Sequence, residues 1–168
     1  PHVNAYTSFD ETVYMLTVPT DKPEVMEKAF LILEDWAHNL SFDPVEIDKE
    51  RGVIVEEWRL GRGAAARMRD VQFPVLFKGS RYAERLPIGK KASIETFTHD
   101  SLKRFYKDWY RPDLMAVVAV GDFDKAAVEG LLKKHFESLP AVKVPRLRPT
   151  YSVPDNPGTL YTVATDKE

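Results

Sequence analysis

Two stretches near the start of the chain, Val3 to Phe9 and Thr12 to Val18, are rich in Val, Tyr, Thr and Phe. They flank Asp10-Glu11, so a β-hairpin is expected there. The period then changes. Val25, Met26, Ala29, Phe30, Leu33, Trp36, Ala37 and Leu40 recur at helical spacing and form one apolar stripe. Asp21 is the expected N-cap of this helix, with Glu24 three residues on completing a capping box. A second helix is expected from Asp43-Pro44, where Asp43 caps, Pro44 fits the first turn and Glu46 completes the box. The helix-forming run Ala64-Ala65-Ala66-Arg67-Met68 carries it past Gly61, until Pro74 kinks or ends it.

Lys78 to Lys91 holds glycines and Pro87 and reads as an ordered loop. A helix from about Thr98 to Tyr110 carries Leu102, Phe105, Tyr106 and Trp109 and stops before Pro112. The longest apolar run, Leu114 to Val120, has the length of a buried strand and is too short to span a membrane. A Gly121-Asp122 turn and a helix from about Asp124 to Ser138 follow. Residues 140 to 157 hold five prolines and read as an extended connector, before a last strand from Leu160 to Ala164. Strand pairs mixed with helices, without strict alternation, predict an α+β domain: a layered antiparallel or mixed sheet packed by helices.

Composition narrows the function classes. The chain has 168 residues, 43% of them hydrophobic, which suits one domain or a large piece of one. With 24 Lys+Arg against 26 Asp+Glu, the net charge of −2 argues against nucleic-acid and membrane-surface partners. The absence of cysteine excludes a disulfide scaffold, a cysteine nucleophile and thiolate-bound metal. His2, His38, His99 and His135 share no metal-ligand spacing and are expected at the surface or partly buried. No nucleophile elbow is present, and Gly61-Arg62-Gly63 lacks the third glycine that dinucleotide binding needs. Arg59, Arg62, Arg67, Arg69, Arg81 and Arg85 interleave with acids and read as a solvated face. Trp36, Trp58 and Trp109 lie within apolar periodicity and are expected in the core. Pro1-His2-Val3-Asn4 opens directly into strand-like sequence, so the chain is expected to be a piece of a longer protein.

Within the second helix, Glu50 and Glu57 lie seven residues apart, nearly two turns, and project from one face together with Ile47 and Ile54. Two carboxylates on an otherwise apolar, core-facing stripe are costly unless paired or bound to a metal. Spacing alone favours a solvated helix, with Glu46, Asp48, Lys49, Arg51 and Glu56 scattered around it.

Four segments, in order, resemble the pitrilysin/insulinase family of inverted zinc peptidases. They are Asn4-Ala5-Tyr6-Thr7-Ser8 with Thr12-Val13-Tyr14, Glu50-Arg51 through Glu57, Pro87-Ile88-Gly89, and Phe105 through Pro112 with Val117 to Asp122. The resemblance implies a metallopeptidase half-clamshell domain, incomplete at its N-terminal side, with Glu57 as the third zinc ligand and Glu50 as a supporting acid. It also implies that Asn4, Ala5 and Tyr6 pair a peptide substrate as an added strand. The family's H-x-x-E-H, which carries two zinc-binding histidines and the general base, does not occur in these residues and is expected upstream of Pro1. Zn2+ is therefore expected in the intact parent protein and not in this piece, which by itself is expected to be inactive. Residues 1–140 are expected to be the later part of the N-terminal catalytic-type domain, and 141–168 a connector and strand leading into the next segment. A peptide substrate, a homologous partner domain or subunit, and a bacterial periplasmic location are further implications. The alternative is a non-catalytic family member that acts as a structural or peptide-binding subunit; neither reading needs nucleic acid or membrane.

Overall fold

The alternating stretches at the start pair as expected. β1 (His2–Thr7) and β2 (Thr12–Thr17) form a two-stranded sheet, antiparallel because only four residues join them. The Ser8 N–H donates to the Glu11 carbonyl at 2.9 Å to close the turn. The computed structural model describes residues 1–167, which divide into two compact units. One comprises Pro1–Tyr6, Thr12–Phe42 and Thr98–Leu147. The other comprises Thr7–Glu11, Asp43–Phe97 and the chain from Arg148 onward.

In the first unit, α1 (Pro23–His38) packs on α6 (Lys125–Phe136), and Ala29, Phe30 and Val128 are buried. The expected Asp21–Glu24 capping box does not form. Pro23 fits the first helical position, so the cap falls on Lys22, whose side chain accepts no hydrogen bond, and Asp21 stands one residue too early. α5 (His99–Trp109) is capped by Thr98, whose hydroxyl accepts from the Ser101 N–H at 3.1 Å. After α5, Arg111 is 5% exposed; its guanidinium donates to the Arg146 carbonyl at 2.7 Å and pairs with Asp113. Arg111 and Arg146 both lie over Trp109, so this tryptophan is half-buried beneath two guanidiniums and is not a core residue.

Neither expected late strand enters a ladder. Leu114 ends a 3-10 turn (Pro112–Leu114), and Val118 and Val120 are 78% and 91% exposed. Residues 160 to 164 likewise form no strand. A strand is made by its neighbour's hydrogen bonds, and among the described residues nothing pairs with either run.

The same unit holds an aromatic cluster. Tyr106 stacks on Tyr110 with ring centroids 4.4 Å apart and donates to the Trp36 carbonyl at 2.8 Å; the hydroxyls of Tyr110 and Tyr14 are hydrogen-bonded. Burial pushes the Tyr106 phenol up to about 12, and burial followed by the Tyr14 hydroxyl pushes Tyr110 well above the usual tyrosine range. The unfolded chain ionises its tyrosines near pH 10, whereas the folded unit keeps these two neutral. Their contribution to stability is therefore complete below about pH 10 and is lost as pH climbs towards 12. Alkaline titration followed by tyrosinate absorbance is expected to show two of the seven tyrosines ionising only as the chain unfolds. Simultaneous ionisation of all seven in a folded chain would contradict this burial.

In the second unit, the expected long helix is two. α2 (Pro44–Leu60) ends at Gly61, and α3 (Ala64–Leu76) restarts after Gly63, with Pro74 inside its last turn. The loop that follows contains a 3-10 turn (Arg81–Glu84) and leads into a short unexpected helix, α4 (Lys91–Thr96). Phe9, Phe77 and Tyr82 meet edge-on or tilted at 5.1–6.1 Å, and the Tyr82 hydroxyl donates to Asp10 at 2.7 Å. Arg67 grips the Asp166 carboxylate with two bonds of 2.6 Å and so ties the last described residues to α3. Gly79 adopts φ +82°, and a Cβ there would lie 2.8 Å from Pro154, so both backbone and space call for glycine.

Candidate functional site

α2 begins where the sequence places it. Asp43 accepts from the Val45 and Glu46 N–H groups at 2.8 and 3.3 Å, and Pro44 occupies the first helical position. No residue of α2 is fully buried. Ile47, Arg51, Ile54, Val55 and Trp58 are half-buried, and at about 100° per residue they fan around a line close to Trp58 and Arg51. Glu50 and Glu57 stand roughly 80° or more to one side of that line. The expectation of two carboxylates within a core-facing stripe is thereby corrected. Ile54 marks the edge of the buried face on the side of the glutamates, and both glutamates are exposed.

Other acids on α2 are taken up within the helix: Glu46 by Lys49 at 2.6 Å, Asp48 by Arg51 at 3.3 Å and Glu56 by Arg59 at 2.8 Å. Glu50 and Glu57 differ, because among the described residues neither carboxylate has a hydrogen-bond or ion-pair partner. Their positions along the axis are about 10 Å apart. No three His, Asp or Glu side chains converge into a metal-binding group among the described residues.

In the other unit, Asn4, Ala5 and Tyr6 lie on β1, whose residues are all exposed. β1 has a single neighbour, β2, so its second edge faces no strand among the described residues. The Asn4 side-chain oxygen accepts from the Ala5 N–H at 2.9 Å.

One charged cluster was missed by reading histidine spacing. His135 on α6 is 5% exposed, with Nδ1 2.6 Å from Glu34 and Nε2 3.2 Å from Glu27, both on α1. Lys134 also binds Glu27, and this ammonium, ahead of His135, holds the Glu27 carboxyl below its ordinary value. The detectable signal is Glu27 and Glu34, seven apart on one face of α1. The cluster ties two helices of the first unit together.

Residues 1–63 match the family model described as insulinase (peptidase family M16), and residues 96–168 match the peptidase M16 inactive domain. The whole chain is 40% identical to the zinc protease PQQL-like of Arabidopsis thaliana. It is 36% identical, over 99% of its length, to the probable zinc protease PqqL of Escherichia coli strain K12. It spans 18% of the length of each. The crystal structure of the first half of the periplasmic protease PqqL from Escherichia coli superposes with a TM-score of 0.84 at 37% identity, covering 90% of this chain and 32% of that one. Such a fold, with six helices and a small antiparallel sheet among the described residues, is consistent with part of an M16 peptidase domain. The chain belongs to the M16 insulinase family, also called the pitrilysin family.

Proposed function

We propose that this chain is part of a zinc endopeptidase in which Glu57 is a zinc ligand, Glu50 a supporting acid, and Asn4-Ala5-Tyr6 the strand on which a peptide pairs. The observation that carries this reading is the pair of exposed carboxylates on α2 left without partners while their neighbours are neutralised. The donor set fits part of a zinc site. A carboxylate oxygen is an ordinary zinc ligand, whereas a catalytic site needs three protein ligands and an open position. Zinc–oxygen distances near 2.0–2.2 Å and the roughly 10 Å rise between the glutamates suit one ligand and one outer acid better than two ligands. The other ligands and the general base are assigned to residues outside this chain.

Bound zinc supplies a Lewis acid for the scissile carbonyl and lowers the pKa of a water molecule. The residues of this chain hold and position. Glu57 offers its carboxylate without first having to break an ion pair. Glu50 offers an acceptor two turns away on the same flank, suited to orient a histidine N–H or a water molecule. The open edge of β1 offers main-chain donors and acceptors to an extended peptide of loosely defined sequence.

Residues 1–140 are proposed as the later part of the catalytic-type domain and 141–168 as the path into the next segment. The exposed apolar runs at 114–120 and 160–164 support this, as strands whose sheet neighbours lie in the parent protein. A homologous domain or subunit closing over the substrate, and a periplasmic location like that of the E. coli relative, belong to the same proposal.

The parent protein provides the test. It is expected to carry about one zinc per catalytic domain and to cleave an unstructured peptide, with cleavage lost to a chelator and restored by zinc. A folded parent with neither zinc nor cleavage would overturn the reading in favour of a non-catalytic peptide-binding subunit.

A further inference from the structure

We infer that Arg51 is a positioning residue that fixes the roll of α2 and thereby aims Glu57; the inference rests on the reading of Glu57 as a zinc ligand. Arg51 occupies the middle of the buried face of α2, and its side chain is 18% exposed. Its guanidinium donates to the Ile94 carbonyl at 2.5 Å and to the Phe97 carbonyl at 3.1 Å, and it lies 4.0 Å above the Phe97 ring. Both carbonyls belong to the C-terminal end of α4. Such groups lack intrahelical partners and favour a cation.

The consequence follows from what α2 lacks. With no residue fully buried, apolar packing constrains its rotation only softly. Two directional hydrogen bonds and a stacked plane instead determine both the height of the helix and its angle about its own axis. At roughly 5–6 Å from the axis, a 20° roll displaces a carboxylate by about 2 Å, a full zinc–oxygen distance. Lysine substitutes only in part, since it is a point donor with no plane to lie on Phe97.

The experiment measures zinc affinity of the parent protein by chelator competition, alongside the melting temperature of the zinc-free form. It compares Arg51→Met, Arg51→Lys, Glu57→Gln and the Arg51→Met/Glu57→Gln pair. Arg51→Met is expected to weaken zinc binding about 10–100-fold, the usual effect of losing an orienting partner, with Arg51→Lys between it and wild type. In the Glu57→Gln background Arg51→Met is expected to change zinc affinity less than about twofold, since the ligand it aims is gone. An equal loss in both backgrounds means Arg51 only stabilises the fold, and overturns the inference. Wild-type zinc affinity in Glu57→Gln overturns the ligand reading and the inference together. Loss of zinc in Glu57→Gln with wild-type affinity in Arg51→Met overturns the inference alone. If Arg51→Met does not fold, Arg51→Lys decides, and wild-type affinity in that variant overturns it.

Discussion

In the parent protein, Glu57→Ala is expected to remove bound zinc and to lower kcat/KM by about a thousandfold or more, well beyond the 10–100-fold cost of losing an outer partner. Glu50→Gln is expected to fall within that smaller range. On the proposed reading, the distinction between the two follows from their separation of about 10 Å along α2, too large for both to bind one ion. Both side chains are exposed and, among the described residues, unpartnered, so neither substitution breaks a contact that holds the fold. Surface changes of this kind alter stability by about 0.5 kcal/mol or less, and alanine suits a helix interior better than glutamate. A collapse in activity with an unchanged melting temperature of the zinc-free form would thus report the site and not the scaffold. Steady-state kinetics paired with metal analysis is the measurement, and wild-type zinc content in Glu57→Ala would refute the assignment.

The largest effect on stability is expected at His135. Replacing it by leucine leaves the Glu34 carboxylate, which it meets at 2.6 Å, without its partner between α1 and α6. Breaking a largely buried polar pair from one side costs about 3 kcal/mol, which in a chain of this size lowers the melting temperature by roughly 6–12 °C. The double substitution His135→Leu/Glu34→Leu is expected to recover most of that loss, because an apolar pair of similar volume avoids the stranded charge. A fall of less than about 2 °C for His135→Leu would show that the clamp contributes little. Equal losses in the single and double variants would show that the cost comes from packing alone.

The parts of the fold legible in the sequence are those decided locally. α5 and α6 begin at Thr98 and Asp124, which cap them through their own side chains, and α1 follows from its apolar stripe and Pro23. Leu114 to Val120 forms no strand among the described residues, because β-branched residues state a preference that only a neighbouring strand can satisfy. α4 was missed for a related reason: it is six residues long, and the groups satisfying its C-terminal carbonyls come from Arg51, some forty residues earlier. At the site, the seven-residue interval between Glu50 and Glu57 was legible, since it depends on helix geometry alone. Their exposure was not. It depends on where the buried face of α2 is centred, and that centre is shared by Trp58 and a half-buried arginine, a residue type that does not announce burial. His135 escaped for the complementary reason, because its partners lie on a helix about a hundred residues away.

The exposed run Leu114 to Val120 also bears on how this polypeptide behaves in solution. Seven consecutive apolar residues, free of proline and charge and rich in valine, match the segments that stack into intermolecular sheets. While its edges stand open, identical chains compete for the run with whatever neighbour it is meant to have, and concentration favours the copies. Self-association, where it occurs, is expected to run through this short stretch. A lysine on its most exposed side, at Val120, would discourage self-association while leaving Glu50, Glu57 and the β1 edge untouched.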